Sequence, residues 1–188
     1  MVNIVHKFGG SSLSSAERYQ AVANIILAHT EAGDCVVVSA AGKTTNTLVT
    51  LWQSYQQGDQ QAVSDILLQL DNHQRTLIEQ LLSPAARHTA LNVLEQELAL
   101  IAQQTQQQSL QEAALLAHGE VWSARLLASY LKQLNVAAQD VDARQLFTLN
   151  DGQLLHQKNQ QACAELISAN CINIVTGFIA ADCQANTV

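Results

Sequence analysis

Short runs of nearly unbroken apolar residues alternate along this chain with longer stretches in which apolar positions return every three or four residues. The runs at 2–5, 35–39 and 172–176 read as β-strands, with a weaker fourth at 136–141. Their β-branched content and short, continuous character predict strands buried on both faces. Helical stretches lie between them. That alternation predicts an α/β fold built on a largely parallel sheet with flanking helices.

The first helix is expected over 14–29, with Ala16, Tyr19, Ala23, Ile26 and Leu27 on its apolar face. Ser14 or Ser15 can cap it, and Glu17 follows Ser14 at capping-box spacing. Gly33 then releases the chain into the second strand. A second helix is expected over 46–57, carrying Leu48, Leu51, Trp52 and Tyr55. A long helical insertion follows at about 60–108. Ser83-Pro84 divides it, which predicts an αα-hairpin. Val63, Ile66, Leu67, Leu70, Leu77, Ile78 and Leu81 form the stripe of one arm. Leu91, Leu94, Leu98 and Ile101 form the stripe of the other. Further helices are expected over 115–134, containing His118-Gly119-Glu120, and over 154–169. The last residues, Asn186-Thr187-Val188, read as the start of another strand.

An apolar fraction of 48% over 188 residues is enough for one well-cored domain. A formal net charge of −7, with lysine and arginine dispersed, argues against a nucleic-acid partner. No segment is apolar for long enough to span a bilayer, and the first residues lack a signal-peptide pattern. The four cysteines, Cys35, Cys163, Cys171 and Cys183, have no metal-ligand spacing. The expectation is a cytoplasmic, reducing setting with no metal site of the chain's own.

Candidate chemistry concentrates where predicted strands end. Lys7-Phe8-Gly9-Gly10-Ser11 joins the first strand to a helix start. Lys7 offers charge, Gly9 and Gly10 allow close backbone approach, and Ser11 offers a hydroxyl. This is not the Walker A order, in which lysine follows the glycines. Two readings stand: a phosphate cradle, or a tight turn with Lys7 solvated. The second strand leads into Ser39-Ala40-Ala41-Gly42-Lys43-Thr44-Thr45, which a parallel sheet places at the same edge. Here one threonine can cap the next helix while the other faces a cleft. Glu120, amid apolar helix positions, can hold an ammonium group, pair with Arg125 or sit solvated. His118 is ambiguous, since a histidine can satisfy a local hydrogen bond without catalytic duty. Asp142-Ala143-Arg144 can contribute to the cleft edge, or Asp142 can cap a short helical turn. No nucleophile elbow and no carboxylate pair at glycosidase spacing is evident. Phosphoryl transfer, which relies on positioning and electrostatics, suits this inventory best.

Five motifs together resemble the aspartate kinase family. They are Lys7-Phe8-Gly9-Gly10-Ser11-Ser12, Val38-Ser39-Ala40-Ala41-Gly42 with Thr45-Asn46, His118-Gly119-Glu120-Val121-Trp122-Ser123, Asp142-Ala143-Arg144, and Val175-Thr176-Gly177-Phe178-Ile179. The nearest likeness is to the kinase portion of the bifunctional aspartokinase/homoserine dehydrogenase proteins of the methionine branch. The resemblance implies part of an amino-acid-kinase fold. It implies transfer of the ATP γ-phosphoryl group to the side-chain carboxylate of L-aspartate, with Mg²⁺ accompanying ATP. Lys7 would neutralise the transferring group, and Gly9, Gly10 and Ser11 would line the phosphate path. Ser39 and Thr45 would lie on the substrate side, and Glu120 would hold the aspartate ammonium. NADP(H) would belong only to a dehydrogenase domain, expected to be absent here together with the nucleotide-binding half and the regulatory region. Residues 1–188 are thus expected to form the substrate-side part of a kinase domain, inactive in isolation. The parent is expected to be a homo-oligomer, and the fragment itself could dimerise. Ser11 stands where the family often has threonine, and Lys43 where it often has a small or apolar residue. Two alternatives stay open: another member of the same superfamily acting on a different carboxylate, carbamate or phosphate, and a non-catalytic interaction module.

Overall fold

The computed structural model describes residues 4–188. Four parallel strands form the central sheet: β1 (Val5–Phe8), β2 (Cys35–Val38), β3 (Ala138–Val141) and β6 (Ile172–Thr176), in the order β1-β2-β6-β3. Lys7 pairs in register with Val37, Val37 with Val175, and Val175 with Val141. The first expected strand therefore lies later than 2–5. Residues 2 and 3 fall outside those described, and Lys7 sits within β1.

The helices are α1 (Ala16–His29), α2 (Thr44–Gln56), α3 (Gln60–Leu81), α4 (Pro84–Gln106), α5 (Glu112–Gln133), the single turn α6 (Ala143–Leu146) and α7 (His156–Leu166). The main core lies on one side of the sheet. There Val36, Val38 and Ile174 meet Tyr19 and Ile26 of α1, Leu48 and Leu51 of α2, and Leu127 and Leu131 of α5. The stripes expected on the αα-hairpin extend this core through Leu70, Leu77, Leu94 and Ile101. A smaller cluster on the other face joins Val141, Ala143, Leu146 and Val175, backed by half-buried Cys35, Val37 and Cys163.

Three local differences have plain physical causes. Helix α1 starts at Ala16 because Ser15, in extended backbone, caps it by accepting the Arg18 N–H at 3.4 Å. Ser14 instead donates to the Ser11 carbonyl, closing the 3-10 turn Gly10–Leu13, so Ser14 and Glu17 form no capping box. Helix α2 starts at Thr44, two residues early, because its N–H and hydroxyl both donate to the Ala41 carbonyl, at 3.0 and 2.7 Å. The helix expected over 154–169 is shortened by a hairpin of β4 (Thr148–Asn150) and β5 (Gln153–Leu154). Its turn is Asp151-Gly152, both at positive φ (49° and 76°) as a type I′ turn requires. Strand β7 (Ala181–Asp182) adds to β4 in parallel. Residues 186–188 then turn back, with Val188 and Ala180 exchanging backbone hydrogen bonds at 3.0 Å.

The αα-hairpin is closed differently from a serine-capped turn. The Ser83 side chain makes no cap bond. Arg87 donates to the carbonyls of Glu79 and Leu82, and Gln133 of α5 bridges Ser83 N–H and the Leu81 carbonyl. The hairpin turn is thereby tied to the end of α5.

Inside the main core the Tyr19 hydroxyl meets the Ser123 hydroxyl at 2.9 Å, joining α1 to α5 where both residues are buried. Burial pushes the Tyr19 phenol well above its usual range. Replacing Tyr19 by Phe strands the Ser123 hydroxyl and is expected to cost about 1–3 kcal/mol. At roughly 2–4 °C per kcal/mol for a chain of this size, thermal unfolding reads the loss. Tyr19→Phe with Ser123→Ala should recover most of it, since both polar partners are then gone.

Candidate active site

All the central strands run the same way, so β1, β2, β6 and β3 end at one edge, and their following turns gather there. Two sides of the sheet contribute. Lys7 projects from the face it shares with Val37 and Val175, while Glu120 arrives on α5 from the opposite face. The cation and the carboxylate thus reach one edge from opposite sides.

The turn after β2 is the junction of this edge. Ser39 N–H donates to the Phe8 carbonyl at 3.1 Å, and Gly42 N–H to the Gly10 carbonyl at 2.9 Å. Ala40 N–H donates to Glu120 Oε1 at 3.3 Å. Two glycines allow the elements to close on Ala40. A Cβ on Gly10 would stand 2.7 Å from the Ala40 carbonyl oxygen, and one on Gly119 would stand 2.7 Å from the Ala40 Cβ. Gly119 in α5 is therefore a close-packing glycine, which offsets its poor helix propensity. Gly9 differs from Gly10: a Cβ there would meet nothing within 4 Å. Its face is open to the edge.

Ser39 is buried at the end of β2, and Thr45 is half-buried on the first turn of α2. Thr44 is the threonine engaged in starting the helix, and it is buried. Ser11 and Lys43 are exposed. Lys7 Nζ lies 4.4 Å from the centroid of the Phe178 ring. Phe178 is 76% exposed and has a left-handed φ of 58°, an uncommon backbone state for a bulky residue. It follows Gly177, whose N–H donates to the Val38 carbonyl at 2.8 Å.

Glu120 is only 5% exposed. Burial pushes its carboxyl above the usual carboxylate range, against the opposing pull of the Ala40 amide. It does not pair with Arg125. That guanidinium donates to both oxygens of Glu97 on α4, at 3.0 Å each, and Trp122 Nε1 donates to the same carboxylate at 2.8 Å. His118 packs against Trp122, and desolvation lowers its affinity for a proton. Asp142 caps α6 by accepting the Arg144 N–H, and its carboxylate is held by the Arg144 guanidinium. Thr176 on β6 accepts the Ala143 N–H at 2.7 Å, which fixes this turn to the sheet. Among the described residues no group of three His, Cys, Asp or Glu side chains is placed to hold a metal ion.

Sequence reasoning passed over Gln74 and His73. Gln74 on α3 donates to Thr44 Oγ1 at 3.2 Å, and burial holds the imidazole of His73 below its usual proton affinity. A signal existed: Gln74 is a polar residue in the stripe Leu70, Leu77, Ile78, four residues after Leu70. Nothing in the chain's patterning marks Phe178 as the neighbour of Lys7.

A basic group, open backbone and a desolvated carboxylate lie together at the carboxyl edge of a parallel sheet, the edge where open α/β sheets take their ligands. The pattern of the amino acid kinase family matches residues 3–186, and the chain belongs to that family. Within it, the chain is similar to aspartokinases. It is 32% identical to the bifunctional aspartokinase/homoserine dehydrogenase 2 of Escherichia coli K12, over 98% of this chain and 24% of that protein. It is 32% identical to the chloroplastic aspartokinase 1 of Arabidopsis thaliana, over 95% of this chain and 33% of that protein. The chain spans about a quarter to a third of the length of these relatives. The crystal structure of E. coli aspartokinase III in complex with aspartate and ADP matches with a TM-score of 0.85 at 26% identity, over 100% of this chain and 43% of that one.

The raised carboxyl of Glu120 sets a pH dependence. Ionised in the folded chain, it carries a desolvation cost that the unfolded chain lacks. That cost is present above its folded value and vanishes below the ordinary carboxylate value, where both states are protonated. Glu120→Gln keeps an acceptor for the Ala40 amide and removes the charge. It is expected to raise stability near pH 7, with the gain disappearing as the pH falls into the ordinary carboxylate range near about 4. Thermal unfolding of both proteins across that interval checks the sign.

Proposed function

We propose that residues 1–188 form the substrate-side part of an aspartate kinase domain. The domain transfers the γ-phosphoryl group of ATP, carried with Mg²⁺, to the side-chain carboxylate of L-aspartate. The observation that carries this reading is the approach of Lys7 and Glu120 to one strand edge from opposite faces of the sheet. One supplies positive charge for a phosphoryl group. The other is a buried carboxylate without a cationic side-chain partner among the described residues, and an amino acid's ammonium would complete it. The likeness to aspartokinases supports the choice of aspartate.

The chemistry asks little of a covalent catalyst. An aspartate carboxylate oxygen attacks Pγ, the bond from Pγ to the β-bridging oxygen breaks, and ADP leaves with that electron pair. The products are 4-phospho-L-aspartate and ADP. Negative charge on the transferring group is met by the Lys7 ammonium, and Gly9, Gly10 and Ser11 line the phosphate path. Glu120 orients aspartate through its ammonium, so that the side-chain carboxylate points toward Lys7. Ser39 and Thr45 supply hydroxyls on the aspartate side. Mg²⁺ enters with the nucleotide as part of the substrate. NADP(H), which the family resemblance ties to a dehydrogenase domain, has no part in the role of these residues.

The test is aspartate-dependent ADP formation by the complete kinase domain that contains these residues, read beside its thermal stabilisation by L-aspartate. Lys7→Met should lower kcat by about 100-fold or more while leaving the unfolding temperature nearly unchanged. Glu120→Ala should raise the aspartate KM by roughly 10–100-fold, the loss of one charge-assisted contact. A folded complete domain that neither turns over ATP with aspartate nor is stabilised by aspartate would overturn the reading.

A further inference from the structure

Gln74 is 3% exposed and lies on the apolar stripe of α3 between Leu70 and Ile78. A leucine there would complete the stripe and leave no polar group to satisfy. A buried amide is costly unless its hydrogen bonds are made. Gln74 makes one across to another element: its Nε2 donates to Thr44 Oγ1 at 3.2 Å. Thr44, itself 2% exposed, passes the interaction on, because its hydroxyl donates to the Ala41 carbonyl at 2.7 Å. The result is a buried chain, Gln74 amide to Thr44 hydroxyl to Ala41 carbonyl. It ends in the turn whose other residues touch the site: Ala40 on Glu120, Gly42 on the Gly10 carbonyl. Thr45 is the next residue along.

We propose that Gln74 is a positioning residue of the active site. Acting through Thr44, it holds the Ala41–Thr45 turn against α3 and so fixes where Thr45 and the Ala40–Glu120 pair meet the substrate. The helical hairpin is then more than an addition to the core, since one of its side chains sets the geometry of the substrate turn. The kinetic part of this inference rests on the aspartate kinase reading; the structural part does not.

Gln74 also borders a cavity of 560 Å³ between α3, α4 and α5. Truncation to alanine would enlarge that space and confuse the result, so the amide is better removed at constant volume. Gln74→Met and Thr44→Val each break the chain at one link, and Thr44→Ser keeps the hydroxyl. Amide hydrogen exchange of the full chain, without ligand, is the first readout. In Gln74→Met, exchange at residues 41–47 should rise about tenfold relative to helix α7, the loss of one buried hydrogen bond. Thr44→Val should match it, the double variant should add little, and Thr44→Ser should stay near the parent. Unchanged exchange at 41–47, full additivity of the two changes, or equal acceleration in α7 would each overturn the proposal.

Kinetics of the complete kinase domain with L-aspartate and ATP form the second readout. Gln74→Met should raise the aspartate KM about tenfold with kcat changed less than about twofold. An unchanged KM beside a loosened turn would sever the link to the substrate and overturn the positioning role. No aspartate turnover in the unsubstituted complete domain, with the turn loosened as expected, would sink the aspartate reading and leave Gln74 as the residue that sets the turn.

Discussion

The structure turns on the closure around Ala40. The β1 turn, the β2 turn and α5 approach so closely there that two positions tolerate no side chain, Gly10 against the Ala40 carbonyl and Gly119 against its methyl group. That closeness lets the Ala40 amide reach Glu120 and the Gly42 amide reach Gly10. A methyl group at either glycine would push the elements apart and undo contacts that no neighbouring residue duplicates. The site is therefore a consequence of packing. Its charged groups are positioned by a contact between small residues, not by an ion pair of their own.

Electrostatics and stability pull in opposite directions at this edge. Elsewhere three arginines are matched to carboxylates: Arg125 with Glu97, Arg144 with Asp142, Arg75 with Asp71 and Glu95. Glu120 is buried with a backbone amide as its hydrogen-bond donor. Lys7 rests against the face of an exposed aromatic ring, a contact worth about 0.5–1 kcal/mol at such a position. Both groups hold more interaction capacity than the chain itself uses. That combination, unmatched charge in a crowded frame, is what a ligand with complementary ends would relieve.

Particular residues show how far the sequence carried. The strands at 35–39 and 172–176, and the αα-hairpin divided at Pro84, follow from periodicity, because strand and helix faces are local consequences of the backbone. The hairpin at Asp151-Gly152 also had a local signal, a dipeptide suited to positive φ, but it is hidden in a segment whose apolar spacing suited a helix. Ser14 and Ser15 were indistinguishable as caps until the 3-10 turn claimed Ser14. The glycine pair divided in a way composition does not reveal: Gly9 faces open space and Gly10 faces Ala40.

From the chain alone come the α/β class, the parallel edge where ligand chemistry collects, and the family, since these depend on periodicity and on motifs contiguous in sequence. The tertiary structure decided which side chains meet. It gave Arg125 to Glu97 instead of Glu120, set Glu120 beside an amide 80 residues away, and brought Gln74 to Thr44 across 30 residues. Such pairings depend on where helices cross the sheet and how closely they approach. Those quantities are fixed by the packing of the whole core, and no local pattern of residues encodes them.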